Sequence, residues 1–143
     1  MSSTVEPQTF ETRSEQETTD AGMRLGAQLR AGDIVLLYGD LGAGKTAFVR
    51  GLTAGLGLDP DQVTSPTFTI IQEYRGPVTL QHVDLYRLAP AEVLELGLDE
   101  LADASTVLAV EWADRLPRLP SPPLIEVHFE ALEDGRRIRI SRT

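Results

Sequence analysis

Two segments of the chain are apolar almost without a break, and everything else is punctuated. Ile34-Val35-Leu36-Leu37-Tyr38, and Val107-Leu108-Ala109-Val110 after Thr106, show no alternation of apolar with polar positions. A strand of that composition is covered on both sides, as in the centre of an α/β sheet. Ahead of the first run, after a loose leader over residues 1–7, Thr9 to Thr12 alternates as a short strand does. Ser14-Glu15-Gln16-Glu17 then has capping-box spacing, which predicts a helix from Ser14. Gly22, Leu25, Gly26 and Leu29 share one face of that helix, and its small residues would allow close packing on a sheet. A second helix is predicted from Ala47 to Leu56, stopped by Gly57. Thr67 to Tyr74 and Val78 to Asp84, split by Arg75-Gly76-Pro77, read as a hairpin. Pro90 opens a short helix through Leu96, Leu98 to Ala102 suggests another turn, and Leu116 to Pro123 is a connector. The tail alternates from Ile125 to Ala131 and turns at Asp134-Gly135. That turn predicts Ala131 opposite Ile138, Phe129 opposite Ile140 and Glu130 opposite Arg139. The pattern as a whole implies one α/β domain over residues 1–143, with a mixed, largely parallel sheet and a C-terminal β-hairpin.

Composition narrows what such a domain could do. The chain has 143 residues and no cysteine, so disulfides, a thiol nucleophile and thiolate metal sites are excluded, in keeping with a reducing compartment. Neither a membrane-length apolar run nor a secretion-type leader is evident, and the expected location is the cytoplasm. The formal net charge of -9 opposes autonomous binding to a nucleic-acid backbone. Of 13 basic residues, all but Lys45 are arginine, so the bias that set the others did not set this one. A compact ammonium can tuck against phosphate oxygens where a planar guanidinium needs a different cradle.

Lys45 also closes the strongest motif. Gly39-Asp40-Leu41-Gly42-Ala43-Gly44-Lys45-Thr46 matches G-x-x-x-x-G-K-[ST] between a buried strand and a helix. The glycines let the backbone wrap phosphates, Lys45 reaches the terminal ones, and the Thr46 hydroxyl can ligate Mg²⁺. Asp40 to Ala47 are thus the expected binding residues for ATP. An acidic partner at a neighbouring strand end is also needed, and Asp84 and Glu111 both occupy such ends. Either could hold the metal while the other positions water, and which does which stays open. A carboxylate beside phosphates requires compensating positive charge. Thr64-Ser65-Pro66-Thr67 could sense the terminal phosphate or could be a proline turn into a strand. His82 shares the Asp84 face by alternation, but a lone histidine is more often a packed one. Trp112 could be core, an adenine contact or a partner contact. Arg136, Arg137, Arg139 and Arg142 read as a solvated face paired with Glu126 and Glu130.

With these residues placed, the chain resembles the TsaE family. The likeness rests on Gly39 to Thr46 with Arg50-Gly51 following, on Ser65-Pro66-Thr67-Phe68-Thr69, on His82-Val83-Asp84-Leu85-Tyr86-Arg87-Leu88, on Glu95-Leu96-Gly97-Leu98 and on Glu111-Trp112. Ala47 departs from the threonine many members repeat there. The resemblance implies an ATPase with Mg²⁺ as metal, Lys45, Asp84 and Glu111 as catalytic residues, and Thr46, Asp84 and Glu111 at the metal. It also implies Thr67 and Trp112 near the nucleotide. Its expected partners are TsaD and TsaB, and tRNA is met only through that complex. ATP hydrolysis would reset the complex that puts threonylcarbamoyl on the adenosine next to the anticodon, in tRNAs reading codons that begin with adenine.

Two other classes compete. A small-molecule kinase would share the P-loop but needs an acceptor pocket and an arginine-bearing lid, and no lid insertion is evident before Glu111. A non-catalytic nucleotide-gated binding module would use the same carboxylates only to hold Mg²⁺. A GTPase is disfavoured because its guanine-reading Asn-Lys-x-Asp loop cannot be built from a chain without asparagine.

Overall fold

A computed structural model describes residues 5–39, 44–62, 71–86, 88–101, 103, 105–117, 120 and 124–143. In chain order these form β1 (Val5–Thr12), α1 (Glu15–Gly26), β2 (Ile34–Tyr38), α2 (Lys45–Gly55), β3 (Ile71–Tyr74), β4 (Thr79–Asp84), α3 (Pro90–Glu95), α4 (Leu98–Leu101), β5 (Thr106–Glu111), β6 (Leu124–Leu132) and β7 (Gly135–Arg142). One seven-stranded sheet runs β1-β7-β6-β2-β5-β4-β3. Its centre is parallel, through β6 with β2, β2 with β5 and β5 with β4. Both flanks are antiparallel, β3 with β4 on one side and β6, β7 and β1 on the other.

The uninterrupted apolar runs are central because both faces of the sheet are covered. One face packs Val35, Leu37, Val107 and Ala109 against Leu25 of α1 and Phe48, Val49 and Leu52 of α2. The other packs Ile34, Leu36, Leu108 and Val110 against Val93 of α3 and Leu98 of α4. All six residues of β5 are buried, including Glu111 at its end.

Ser14 caps α1 as its spacing predicts, its Oγ accepting from the Glu17 N–H at 3.0 Å. The returning bond goes one residue further back, from the Arg13 N–H to Glu17 Oε1 at 2.7 Å. The glycine stripe of α1 faces α2 rather than the sheet. A Cβ on Gly22 would lie 2.1 Å from the Phe48 carbonyl oxygen, and one on Gly51 would lie 1.9 Å from that of Thr19. Glycines on both helices therefore let two backbones touch, which no other residue permits.

Three expectations are corrected. β1 begins at Val5 and pairs with Arg142, so 5–7 belong to the sheet rather than to a loose leader. The tail hairpin turns one residue earlier than Asp134-Gly135 implied, with Leu132 opposite Gly135. Phe129 then faces Ile138, Ala131 faces Arg136 and Glu130 faces Arg137. The slip moves each partner by two positions, so Phe129 and Ile138 still point into the core. Finally α2 starts at Lys45, two residues before the expected Ala47, which brings Lys45 and Thr46 into its first turn.

Candidate functional site

Three parallel strands end together beside the start of α2, and the candidate carboxylates lie at two of those ends. β2 leads into Gly39 (φ 141°), where a Cβ would come within 2.8 Å of the Phe129 carbonyl oxygen, so the chain can leave the sheet there only as glycine. Gly44 (φ 93°) is the N-cap of α2 and offers no side-chain cap. As N-cap, Gly44 therefore contributes no side-chain acceptor to the first turn of α2, a helix start whose N–H groups and partial positive charge suit an anion.

Lys45 and Thr46 follow. Thr46 is half-buried and Ala47 is buried behind it. Lys45 is only 5% exposed. Its ammonium donates to the Gly39 carbonyl oxygen at 2.5 Å and lies 3.9 Å from the centre of the Trp112 ring. Trp112 reaches it because its backbone is left-handed (φ 59°), the one non-glycine residue with positive φ among those described. Such a conformation costs an ordinary residue about 1–2 kcal/mol. Tyr86 packs against Trp112, ring centres 5.0 Å apart, and Arg115 lies about 6 Å from both rings.

Asp84 and Glu111 are register partners on β4 and β5, so the two candidate carboxylates stand side by side on one face. Their surroundings differ. Asp84 is half-buried and its Oδ1 accepts from the Tyr86 N–H at 2.9 Å. Burial raises its carboxyl above the ordinary value; the Tyr86 N–H acts in the opposite direction, the Glu111 charge adds to the rise, and His82 and Lys45 counter it. Glu111 is 3% exposed and its Oε2 is 2.5 Å from His82 Nε2, the histidine itself 2% exposed.

Of the residues expected at the site, the structure brings together Lys45, Asp84, Glu111 and Trp112, with Thr46 and Ala47 in the same helix turn. Asp40, Leu41, Gly42, Ala43, Thr67 and the Thr64-to-Thr67 segment lie outside the described residues. Arg136 is an addition that sequence reading missed. A Cβ on Gly44 would be 3.8 Å from Arg136 Cγ and Nε, placing this cation against the start of α2 rather than on a solvated face. Only the hairpin register and the β1–β7 pairing carry it there, and neither leaves a motif.

The donor set fits a hard divalent cation: two carboxylates and a hydroxyl, all oxygen, with no soft ligand. Among the described residues no cluster of three or more histidine and carboxylate side chains could cage a metal unaided. Mg²⁺ commonly completes its shell with phosphate oxygens and water, so a partial protein set is in character.

The family model for "Threonylcarbamoyl adenosine biosynthesis protein TsaE" matches residues 12–139. The chain belongs to the TsaE family. Curated relatives agree over most of the chain. The tRNA threonylcarbamoyladenosine biosynthesis protein TsaE of Rickettsia conorii is 42% identical over 127 residues, covering 87% of this chain and 72% of that protein. Its namesake in Treponema pallidum is 40% identical, covering 87% of this chain and 93% of that one. The crystal structure of Bacillus subtilus YdiB superposes with a TM-score of 0.72 at 36% identity, covering 96% of this chain and 86% of that one. Threonylcarbamoyladenosine biosynthesis is therefore the process to which this TsaE-family site is tied. No helix among the described residues is long and apolar enough to cross a membrane.

Proposed function

We propose that this TsaE-family chain is an ATP hydrolase, and that it acts with TsaD and TsaB to reset the complex that forms threonylcarbamoyladenosine on tRNA. The observation that carries the reading is convergence: the chain's only lysine and two carboxylates meet where three parallel strands end at an uncapped helix. Lys45 would exchange its Gly39 and Trp112 contacts for terminal phosphate oxygens. The α2 N–H groups and Arg136 would add positive potential to the same volume. What Mg²⁺ supplies when bound is neutralisation of phosphate charge, and Thr46, Asp84 and Glu111 are the oxygen donors that would hold it. One carboxylate would orient the attacking water, and Glu111 is the better held of the two. An acidic chain leaves RNA contact to its partners, in line with the net charge of -9.

The test is steady-state hydrolysis and nucleotide affinity for the wild type, Lys45→Ala and Glu111→Gln, each with and without TsaD and TsaB. Lys45→Ala is expected to lose measurable ATP binding, whereas Glu111→Gln keeps binding and loses turnover by a factor on the order of 100. Partner stimulation of about tenfold needs only about 1.4 kcal/mol of differential binding. Wild-type hydrolysis indifferent to both substitutions would overturn the reading. Transfer of the terminal phosphate to a small acceptor instead of water would replace it with a kinase.

A further inference from the structure

The mechanism above leaves one buried side chain unused. His82 sits on β4 two residues before Asp84, is 2% exposed, and places Nε2 at 2.5 Å from Glu111 Oε2 on the neighbouring strand. Its register partner on β5 is Ala109, whose methyl leaves room for the ring to lie along the sheet toward Glu111, one pleat further on. An ionised carboxylate only accepts hydrogen bonds, so in that state of Glu111 the bridging proton is on Nε2. The other ring nitrogen, Nδ1, is buried with no hydrogen-bond partner among the described residues. The ring is therefore committed at one atom, to one oxygen. Glu111 has two oxygens, and fixing Oε2 sets which way Oε1 points.

We propose that His82 is a positioning residue for Glu111: its Nε2–H holds Oε2 inside the sheet so that Oε1 is presented to the nucleotide site in a single orientation. The inference rests on the hydrolase reading for what Oε1 does, but the His82–Glu111 coupling can be measured separately. The Nε2 atom of His82 is engaged by Glu111, so the effect of His82 passes through that carboxylate. A long side chain at a strand end otherwise samples several rotamers, and a buried hydrogen bond to a charged group selects one of them. Asp84 needs no such brace because the Tyr86 N–H already holds its Oδ1.

Three substitutions separate positioning from packing. In His82→Gln the amide nitrogen falls near the place of Nε2; in His82→Asn it falls near Nδ1, and in His82→Met no donor remains. The readouts are kcat and KM for ATP and, independently of turnover, the gain in nucleotide affinity produced by Mg²⁺. His82→Met and His82→Asn are expected to lower kcat by about 10- to 100-fold with KM little changed, and to shrink the Mg²⁺ gain, while His82→Gln recovers to within about fivefold of wild type. In the double variant with Glu111→Gln, loss of His82 should add less than about a further twofold, because residues acting as a unit are non-additive. Should His82→Met not fold, the Gln and Asn pair still decides. Equal damage from Gln and Asn, or effects that multiply in the double variant, would overturn the proposal. If Glu111→Gln alone changes neither turnover nor the Mg²⁺ gain, the hydrolase reading fails; His82 variants that then also change nothing overturn the positioning role with it.

Discussion

Two acid–base pairs bridge neighbouring strands in different parts of the sheet at nearly the same distance. At the centre His82 Nε2 and Glu111 Oε2 are 2.5 Å apart with side chains 2% and 4% exposed. On the antiparallel flank Arg137 Nη1 and Glu130 Oε1 are 2.6 Å apart with side chains 47% and 60% exposed. Geometry alone would rank them as equals. Water makes the difference: the exposed pair exchanges one good set of partners for another, and Arg137 also lies 3.5 Å from Glu11, so no single contact is decisive. The buried pair has no solvent to fall back on, and losing one member strands the other. The flank can therefore change cheaply, while the centre keeps a polar pair of a kind that function rather than stability explains.

Removing the histidine tests the comparison most severely. His82→Met leaves Glu111 buried without its partner, and the expected loss in urea-unfolding free energy is about 3–5 kcal/mol. A loss under about 1 kcal/mol would mean that Glu111 escapes to solvent and that the two pairs do not differ in kind.

A smaller effect is expected at Asp84, between the extremes in burial. Its folded-state carboxyl is raised, chiefly by burial, so the folded protein holds its proton more tightly than the unfolded chain does. In metal-free protein that cost is absent below the unfolded value and fully present once pH exceeds the folded one. Asp84→Asn keeps an acceptor for the Tyr86 N–H and removes the charge. Its thermal midpoint should exceed wild type at neutral pH, with the gain fading as pH falls toward 4. A gain independent of pH would show that the desolvated charge is not the cause.

The flank should yield least. Glu130→Ala is expected to cost less than about 1 kcal/mol, and raising salt should shrink even that. A salt-insensitive loss larger than this would place Glu130 with the buried pair and remove the contrast.

Much of this was legible from residue order because it depends on neighbours in the chain. The two uninterrupted apolar runs identify central strands since only a strand covered on both faces can lack polar positions. The Gly39-to-Thr46 motif is written in eight consecutive residues, and Ser14 announces the start of α1 three residues before the N–H it accepts. The alternation of the tail gives its buried face, although the turn falls one residue earlier than Asp134-Gly135 implied and so moves every pairing by two positions, a shift that leaves the buried face unchanged. Other features belong to tertiary structure alone. Nothing local to Trp112 requires a left-handed backbone; the ring is held over Lys45 by contacts with residues distant in the chain. His82 and Glu111 are 29 residues apart, and Arg136 and Gly44 meet across most of the chain. Proximity of that kind is settled by strand order and desolvation, quantities that exist only once the sheet has assembled.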